Sequence, residues 1–181
     1  MREIEFRAKD RTGIMYYDWF YGSLDLTTNS GFPHILCEDR YGNVMHIDVD
    51  EKTIGQYTGM KDNNGTKIFE GDIVEFETNV NCLTNELKPY WKDCIEKSYV
   101  IGGGTWWVRK DQAIVQWNQV KGKFDLKVYN NKRYKRKSDL FTYRQSGYVV
   151  VGNIYDNIEL IKETNNEWKK ILLVKIKRRL F

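Results

Sequence analysis

Five acidic or amide side chains between residues 62 and 72 are spaced almost like the ligands of a bound cation: Asp62, Asn63, Asn64, Glu70 and Asp72. A calcium loop of the EF-hand type needs a glycine at its sixth position and a glutamate at its twelfth. Counted from Asp62, these positions hold Lys67 and Ile73, so the pattern fails. Residues 62–65 read Asp-Asn-Asn-Gly and tolerate positive φ, which a tight hairpin turn requires. We therefore predict a turn that leads into a strand, with metal or ligand binding as the alternative.

The segment 130–138, NNKRYKRKS, is the strongest candidate for a binding site. It carries the basic side chains Lys132, Arg133, Lys135, Arg136 and Lys137 around Tyr134. Basic side chains neutralise phosphates and an aromatic ring stacks on a base, so this composition indicates contact with nucleic acid. A loop of solvated charges between two strands has the same composition and is the alternative interpretation.

No catalytic, metal or cofactor site is predicted. The two histidines, His34 and His46, lie in no recognised nucleophile motif. The three cysteines lack the CxxC spacing of a zinc site: Cys37, Cys82 and Cys94. An odd number of cysteines indicates reduced thiols, and hence the cytosol. We expect no association with a membrane, because the longest aliphatic run, Ile171 to Val174, is too short to cross one.

The basic charge of the chain is local. The formal net charge is +4, from 29 basic and 25 acidic side chains. Residues 165–181 carry six lysines and arginines against a single acidic residue, Glu167. This tail suits nucleic acid, an acidic partner or an anionic surface, and its Trp168, Ile171 and Leu172 suit an oligomer contact.

Short alternating segments separated by turn residues predict a mainly β fold, either a small antiparallel barrel or a sandwich. We divide the chain into an N-terminal β region at 1–57, a barrel-like domain at 58–162 and a basic tail at 163–181. An insertion at 79–111 contains Leu87, Trp91 and Ile95 at helical spacing and predicts a short helix. The tail fits a helix or a strand, and we favour a helix.

Three stretches occur in the order seen in a known family: IEFRAKD near the start, QYTGMKDNNGTKIFEGDIVEF in the middle and GYVVVGNIYDNIELI near the end. With them the chain resembles the YopX family of phage and prophage proteins over residues 1–78 and about 112–162. Two positions depart from the family pattern, Lys9 where tryptophan is frequent and Ile158 where proline is frequent. The resemblance implies a phage-encoded protein in the bacterial cytoplasm with an SH3-like barrel. It brings no established activity and no functional residue.

We expect a non-enzymatic accessory protein that self-associates into a homo-oligomer and binds a host or phage macromolecule. Aromatic residues and exposed strand edges favour this hypothesis. The alternative is a nucleic-acid-binding protein that uses residues 132–137 and the C-terminal tail. An enzyme is the least supported class, since no motif points to a reaction.

Overall fold

The structure, a computed structural model, describes residues 3–15, 19–27, 30–81, 94–101, 104–128, 138–139 and 147–160. These residues form twelve β-strands, and the helical segments among them are the short 3-10 turns Glu51–Thr53 and Ile158–Leu160. The strands are β1 (Phe6–Lys9), β2 (Trp19–Asp25), β3 (His34–Glu38), β4 (Val44–Asp48), β5 (Gly55–Lys61), β6 (Lys67–Phe69), β7 (Asp72–Asn81), β8 (Cys94–Ile101), β9 (Gly104–Asn118), β10 (Lys123–Val128), β11 (Ser138–Asp139) and β12 (Val149–Asn153). All pairings are antiparallel, so the predicted mainly β class is confirmed.

The described residues form two compact units, each built on a six-stranded sheet. The first unit takes the described residues of Met1–Lys61 and Gly65–Gly71, and the second takes those of Asp62–Asn64 and Asp72–Thr164. The first unit therefore continues past residue 57, where the N-terminal β region was predicted to end. Within the described ranges, no helix is both long enough and apolar enough to cross a bilayer.

The first sheet has the order β4-β3-β2-β1-β5-β6. Side chains alternate between the two faces of a strand, so one face collects the apolar residues and becomes the core. That core consists of Ala8, Phe20, Ile35, Ile47 and Val49, with Leu24, Cys37 and Met45 packed against it. The opposite face, which we call the outer face, receives the intervening residues of β1 and β2.

The chain just after β1 meets the chain just after β4, although β2 and β3 lie between these strands in the sheet. Asp10, just after β1, forms an isolated bridge with Val49, just after β4. The Arg11 N–H donates to the Asp48 C=O at 3.0 Å. This contact covers one end of β4. The order of paired strands runs from β4 to β6 and does not close into a barrel among the described strands. The SH3-like barrel stays a prediction, and the predicted C-terminal helix lies outside the described residues.

The second sheet has the order β11-β10-β9-β7-β12, and β8 also pairs with β9. Its register brings Val74 opposite Ala113 and Leu126 opposite Val115. These four side chains are almost completely buried, because alternation places them on the same face. The last strand, β12, returns from far along the chain to pair with β7, where Val149 lies opposite Glu75.

The inserted region extends the second sheet. Strand β7 runs to Asn81, and β8 and β9 form a hairpin in which Ile101 lies opposite Gly104. The predicted helix is therefore wrong at its end, since Ile95 belongs to β8, and residues 82–93 lie outside the described part. The β8 sequence CIEKSYVI contains β-branched and aromatic residues that favour strands, and its pairing with β9 overrides the helical spacing.

Candidate functional site

The outer face of the first sheet begins with the alternation of β1. Arg7 and Lys9 point to the face opposite Ala8, which lies in the core. The register places Tyr21 opposite Arg7 and Trp19 opposite Lys9. The outer face therefore pairs cationic side chains with aromatic ones across neighbouring strands.

Arg7 is the centre of this arrangement. Its guanidinium carbon lies 4.7 Å from the ring centroid of Trp19 and 5.0 Å from that of Phe69. Its Nη2 also donates to the Glu70 C=O at 3.5 Å. Only 7% of Arg7 is exposed, so the cation–π contacts form with little competition from water. The buried Arg7 guanidinium therefore contacts the rings of both Trp19 and Phe69 and helps to fix their positions.

Further rings extend from Phe69. The rings of Tyr21 and Tyr57 lie 5.6 Å and 5.5 Å from it, at angles typical of aromatic packing. Tyr57 is buried, whereas Tyr21 is 47% exposed. Tyr21 is therefore an ordered ring that also faces solvent.

Lys67 fixes the edge of this arrangement. Its Nζ lies 2.7 Å from Glu3 Oε1 and 2.5 Å from Glu5 Oε2, and 5.4 Å from the centroid of the Tyr57 ring. The hydrogen bonds to Glu3 and then Glu5 raise the pKa of Lys67 above its ordinary value. The ammonium group therefore stays charged through the physiological range.

A second stacked cation lies beyond β1. The Arg11 guanidinium carbon lies 3.8 Å from the centroid of the Phe32 ring, and Nη2 lies 3.6 Å from Asp48 Oδ2. Phe32 is 42% exposed. We call the set formed by Arg7, Lys9, Arg11, Trp19, Tyr21 and Phe32 the stacked-cation cluster. It combines ordered cations with exposed aromatic rings.

The histidine nearest to this cluster does not have the geometry of a catalytic triad. Ser30 Oγ and Asp48 Oδ1 both contact His34 Nε2, at 3.0 Å and 2.6 Å. A triad needs the serine and the carboxylate on opposite ring nitrogens. The carboxylate then orients the imidazole, and the serine hydroxyl gives its proton to the other nitrogen. Nδ1 is buried without a hydrogen-bond partner in the described structure. The ring of His46 packs edge-on against that of His34 at 6.0 Å.

The turn at residues 62–65 is present between β5 and β6, with Gly65 at φ 83°. Asp62 Oδ1 accepts the Asn64 N–H at 2.8 Å, and Oδ2 accepts the Val150 N–H at 3.0 Å. The Asn63 N–H donates to the Tyr148 C=O at 2.8 Å. The Asp62 carboxylate therefore accepts backbone N–H groups, which is the structural role expected of an Asx turn.

The Asn63 side chain completes this contact. A Cβ atom added at Gly147, where φ is +69°, would lie 1.8 Å from Asn63 Oδ1. A glycine is therefore required there both for its backbone conformation and for the space that Asn63 fills.

The predicted nucleic-acid-binding segment, Lys132 to Lys137, lies outside the described residues, and so does the basic tail. Among the residues that are described, no group of three or more histidine, cysteine or acidic side chains could hold a metal ion. Cys37 is a free thiol, and burial raises its pKa.

Sequence reasoning missed the stacked-cation cluster. The signal was the alternation of Arg7 and Lys9, which places two cations on one face of β1, with Arg11 following two residues later. Trp19 and Tyr21 alternate in the same way on β2. Neither pattern indicates its partner, because strand pairing across the sheet brings the rings to the cations, and β6 reaches β1 only through β5.

The comparison with solved structures found the crystal structure of protein EF1440 from Enterococcus faecalis. It shares 20% sequence identity with this chain at a TM-score of 0.42, and the match covers 90% of this chain and 100% of that one. No curated protein matches the chain. The family model described as YopX protein matches residues 5–162, which is most of the sequence. The chain therefore belongs to the YopX family.

Proposed function

We propose that this chain is a non-enzymatic phage or prophage accessory protein of the bacterial cytoplasm. It acts by binding another protein through the stacked-cation cluster, and it also self-associates. The observation that carries the proposal is the packing of Arg7 between Trp19 and Phe69, beside the exposed ring of Tyr21.

A few residues supply most of the binding energy in protein–protein interfaces, and arginine, tyrosine and tryptophan are enriched among them. Binding is tighter when such side chains are ordered before the partner arrives, because less conformational freedom is then lost. Here Tyr21 is held against Phe69 and Phe32 is held against Arg11. Both rings are partly exposed, so they support a contact that needs little rearrangement.

The arrangement of the chemically active groups supports binding over catalysis. His34 uses Nε2 for both Ser30 and Asp48, which leaves neither partner in the position for proton relay. These contacts suit a hydrogen-bonded surface cluster.

Affinity capture from infected or lysogenic bacterial cells, in the presence of nuclease, tests the proposal. The wild-type chain should retain a protein partner, and Tyr21→Ala and Phe32→Ala should each lose most of it. Val120→Ala removes a 97% exposed side chain from the second unit and should retain the partner. Thermal denaturation verifies that the variants are folded. Equal retention by all four chains would show that the cluster is not the binding surface.

Nucleic-acid binding is the second candidate, favoured by the five basic side chains around Tyr134. Phosphate contacts release counterions, so the affinity should fall steeply between low and moderate salt. Titration of single-stranded and duplex oligonucleotides against the wild-type chain measures this. The variant with Lys132, Arg133, Lys135, Arg136 and Lys137 changed to glutamine should not bind. No binding by the wild-type chain at low salt contradicts this candidate.

A further inference from the structure

Strand β4 is an open edge of the first sheet. It pairs with β3 along one side, and no other described strand pairs with it. The Asp39 N–H donates to the Asn43 C=O and the Val49 N–H donates to the Pro33 C=O, so odd-numbered residues of β4 bond to β3. Val44 and His46 therefore direct their backbone N–H and C=O groups away from the sheet. These groups form a short row of hydrogen-bonding positions.

The other edges carry features that discourage pairing. Strand β6 has three residues, includes Lys67 and follows a register shift. Strand β8, which pairs only with β9 among the described strands, contains Lys97 and has a register shift between Ile95 and Ser98. Strand β11 has two residues, and β12 has a register shift between Val150 and Gly152. Strand β4 has five residues in continuous register, without lysine or proline. Natural sheets use short strands, lysine, proline and bulges to prevent edge pairing, so β4 is the edge left available.

We infer that β4 pairs with the β4 strand of a second copy of this chain, antiparallel about a two-fold axis at Met45. The Arg11 N–H already occupies the Asp48 C=O, which limits the open edge to the part centred on Met45. The Val44 N–H then donates to the His46 C=O of the second copy, and the His46 N–H donates to its Val44 C=O. The two-fold axis generates the same two hydrogen bonds in the opposite direction, from the second copy to the first. Met45, which packs against the core, lies opposite its own copy and extends the apolar face.

Charge complementarity favours a second copy over an unrelated strand. The β3–β4 turn presents Arg40, whose guanidinium carbon lies 4.8 Å from the centroid of the Tyr41 ring. Tyr41 is 74% exposed, and Arg40 makes no ion pair within the described structure. Antiparallel pairing places this turn at the far end of the other β4 strand. That end carries Asp50 and Glu51, beside Asp48, whose carboxylate already contacts Arg11 and His34.

The turn is fixed before the second copy arrives. Asp39 Oδ1 accepts the N–H groups of Tyr41 and Asn43, at 2.8 Å and 2.9 Å, and Oδ2 accepts the Asn43 Nδ2–H at 3.0 Å. Gly42 adopts φ 82°, which suits glycine in a hairpin turn. The direction of Arg40 and Tyr41 is therefore set by the turn, which lowers the entropic cost of association.

This inference specifies the self-association within the proposed function, and it is independent of the protein partner at the stacked-cation cluster. Sedimentation velocity of the full chain, over a range of concentrations at neutral pH, tests it. The wild-type chain should sediment as a dimer at high concentration. Val44→Lys places a charge at the edge and should raise the dimer dissociation constant by about tenfold or more.

Val120→Lys makes the same change at an exposed valine of the second unit and should leave the dimer unchanged. Val44→Pro removes an outward N–H without breaking the β3 ladder, and Arg40→Glu reverses the turn charge at an exposed position. Thermal denaturation identifies the folded variants. A monomeric wild-type chain, or a wild-type dissociation constant in the folded Val44 and Arg40 variants, would overturn the inference. If Tyr21→Ala loses the captured protein partner but still forms the dimer, the inference about β4 is supported independently of the partner site.

Discussion

One cation on each sheet, Arg7 on the first and Lys110 on the second, is held in place by a different kind of neighbour. On the first sheet, the Arg7 guanidinium stacks between the rings of Trp19 and Phe69. On the second sheet, Lys110 Nζ meets Glu75 Oε1 at 2.8 Å, and this contact raises the pKa of Lys110. An ion pair neutralises both of its members, whereas a stacked cation orders aromatic rings whose edges stay available. The comparison indicates that ordered aromatic surface, more than charge, distinguishes the candidate site.

The largest effect is expected at the ring that supports the cluster. Phe69 is 2% exposed and contacts Arg7, Tyr21 and Tyr57. Phe69→Ala should lower the free energy of unfolding by about 3–5 kcal/mol, as large cavities do. Leu126→Ala makes the corresponding cavity in the second sheet and should cost about 2–5 kcal/mol. Urea denaturation measures both, and a loss below about 1 kcal/mol in Phe69→Ala would remove the central role of this ring.

A backbone contact in the second unit gives the next largest effect. Gly147→Ala combines positive φ with a collision against Asn63, and should cost about 2–4 kcal/mol. Gly122→Ala has a similar φ of +61° but open space around the added Cβ. It should cost only about 1–2 kcal/mol. The difference between the two variants in the free energy of unfolding, measured by denaturation, gives the cost of the collision with Asn63. Equal losses of stability would show that Asn63 moves aside freely.

A direct test of the comparison exchanges one cation on each sheet for methionine. Arg7→Met removes two cation–π contacts from a site with 7% exposure, and should cost about 1–2 kcal/mol. Lys110→Met removes an ion pair whose lysine side chain is 51% exposed, and should lower the free energy of unfolding less than Arg7→Met does, because solvent screens exposed ion pairs. The free energy of unfolding is measured by urea titration. A larger loss of stability in Lys110→Met than in Arg7→Met would show that the ion pair stabilises its sheet more than the stacked cation does.

The smallest expected effect concerns the turn that precedes β4. Hydrogen bonds from the Asn43 side chain and then from its backbone lower the pKa of Asp39. A carboxyl group with a lowered folded-state pKa stabilises the fold above its unfolded value, near 3.9, and this contribution is lost as the pH falls through the folded value. Asn43→Ala should raise the pKa of Asp39 towards its ordinary range. An NMR titration of the Asp39 carboxyl group measures this, and an unchanged pKa would contradict the assigned cause.

Local residue chemistry predicted the parts of the fold that depend on local interactions. The turn at Asp62 to Gly65 follows from residues that tolerate positive φ. The strand β8 was mistaken for a helix in part, because the spacing of Leu87, Trp91 and Ile95 carries no information about its pairing with β9. Residues distant in sequence decide that choice.

The stacked-cation cluster could not be predicted for the same reason. The contact that supports it joins Arg7 of β1 to Phe69 of β6, which meet because both strands flank β5. Alternation along β1 places the cations on one face, but it does not identify the rings that they meet. The basic segment at 132–137 was easy to recognise because its residues are contiguous, and its role stays a prediction.

The return of β12 to β7 has a consequence for synthesis of the chain. Strands β1 to β4 pair through consecutive hairpins, so each can pair as soon as the next strand is available. Strand β7 gains its β12 neighbour only when residues near Val149 have been made, and until then one edge of β7 is uncovered. A ribosome that stops before Val149 therefore releases a chain with an aggregation-prone edge, although every strand of the first sheet is already present.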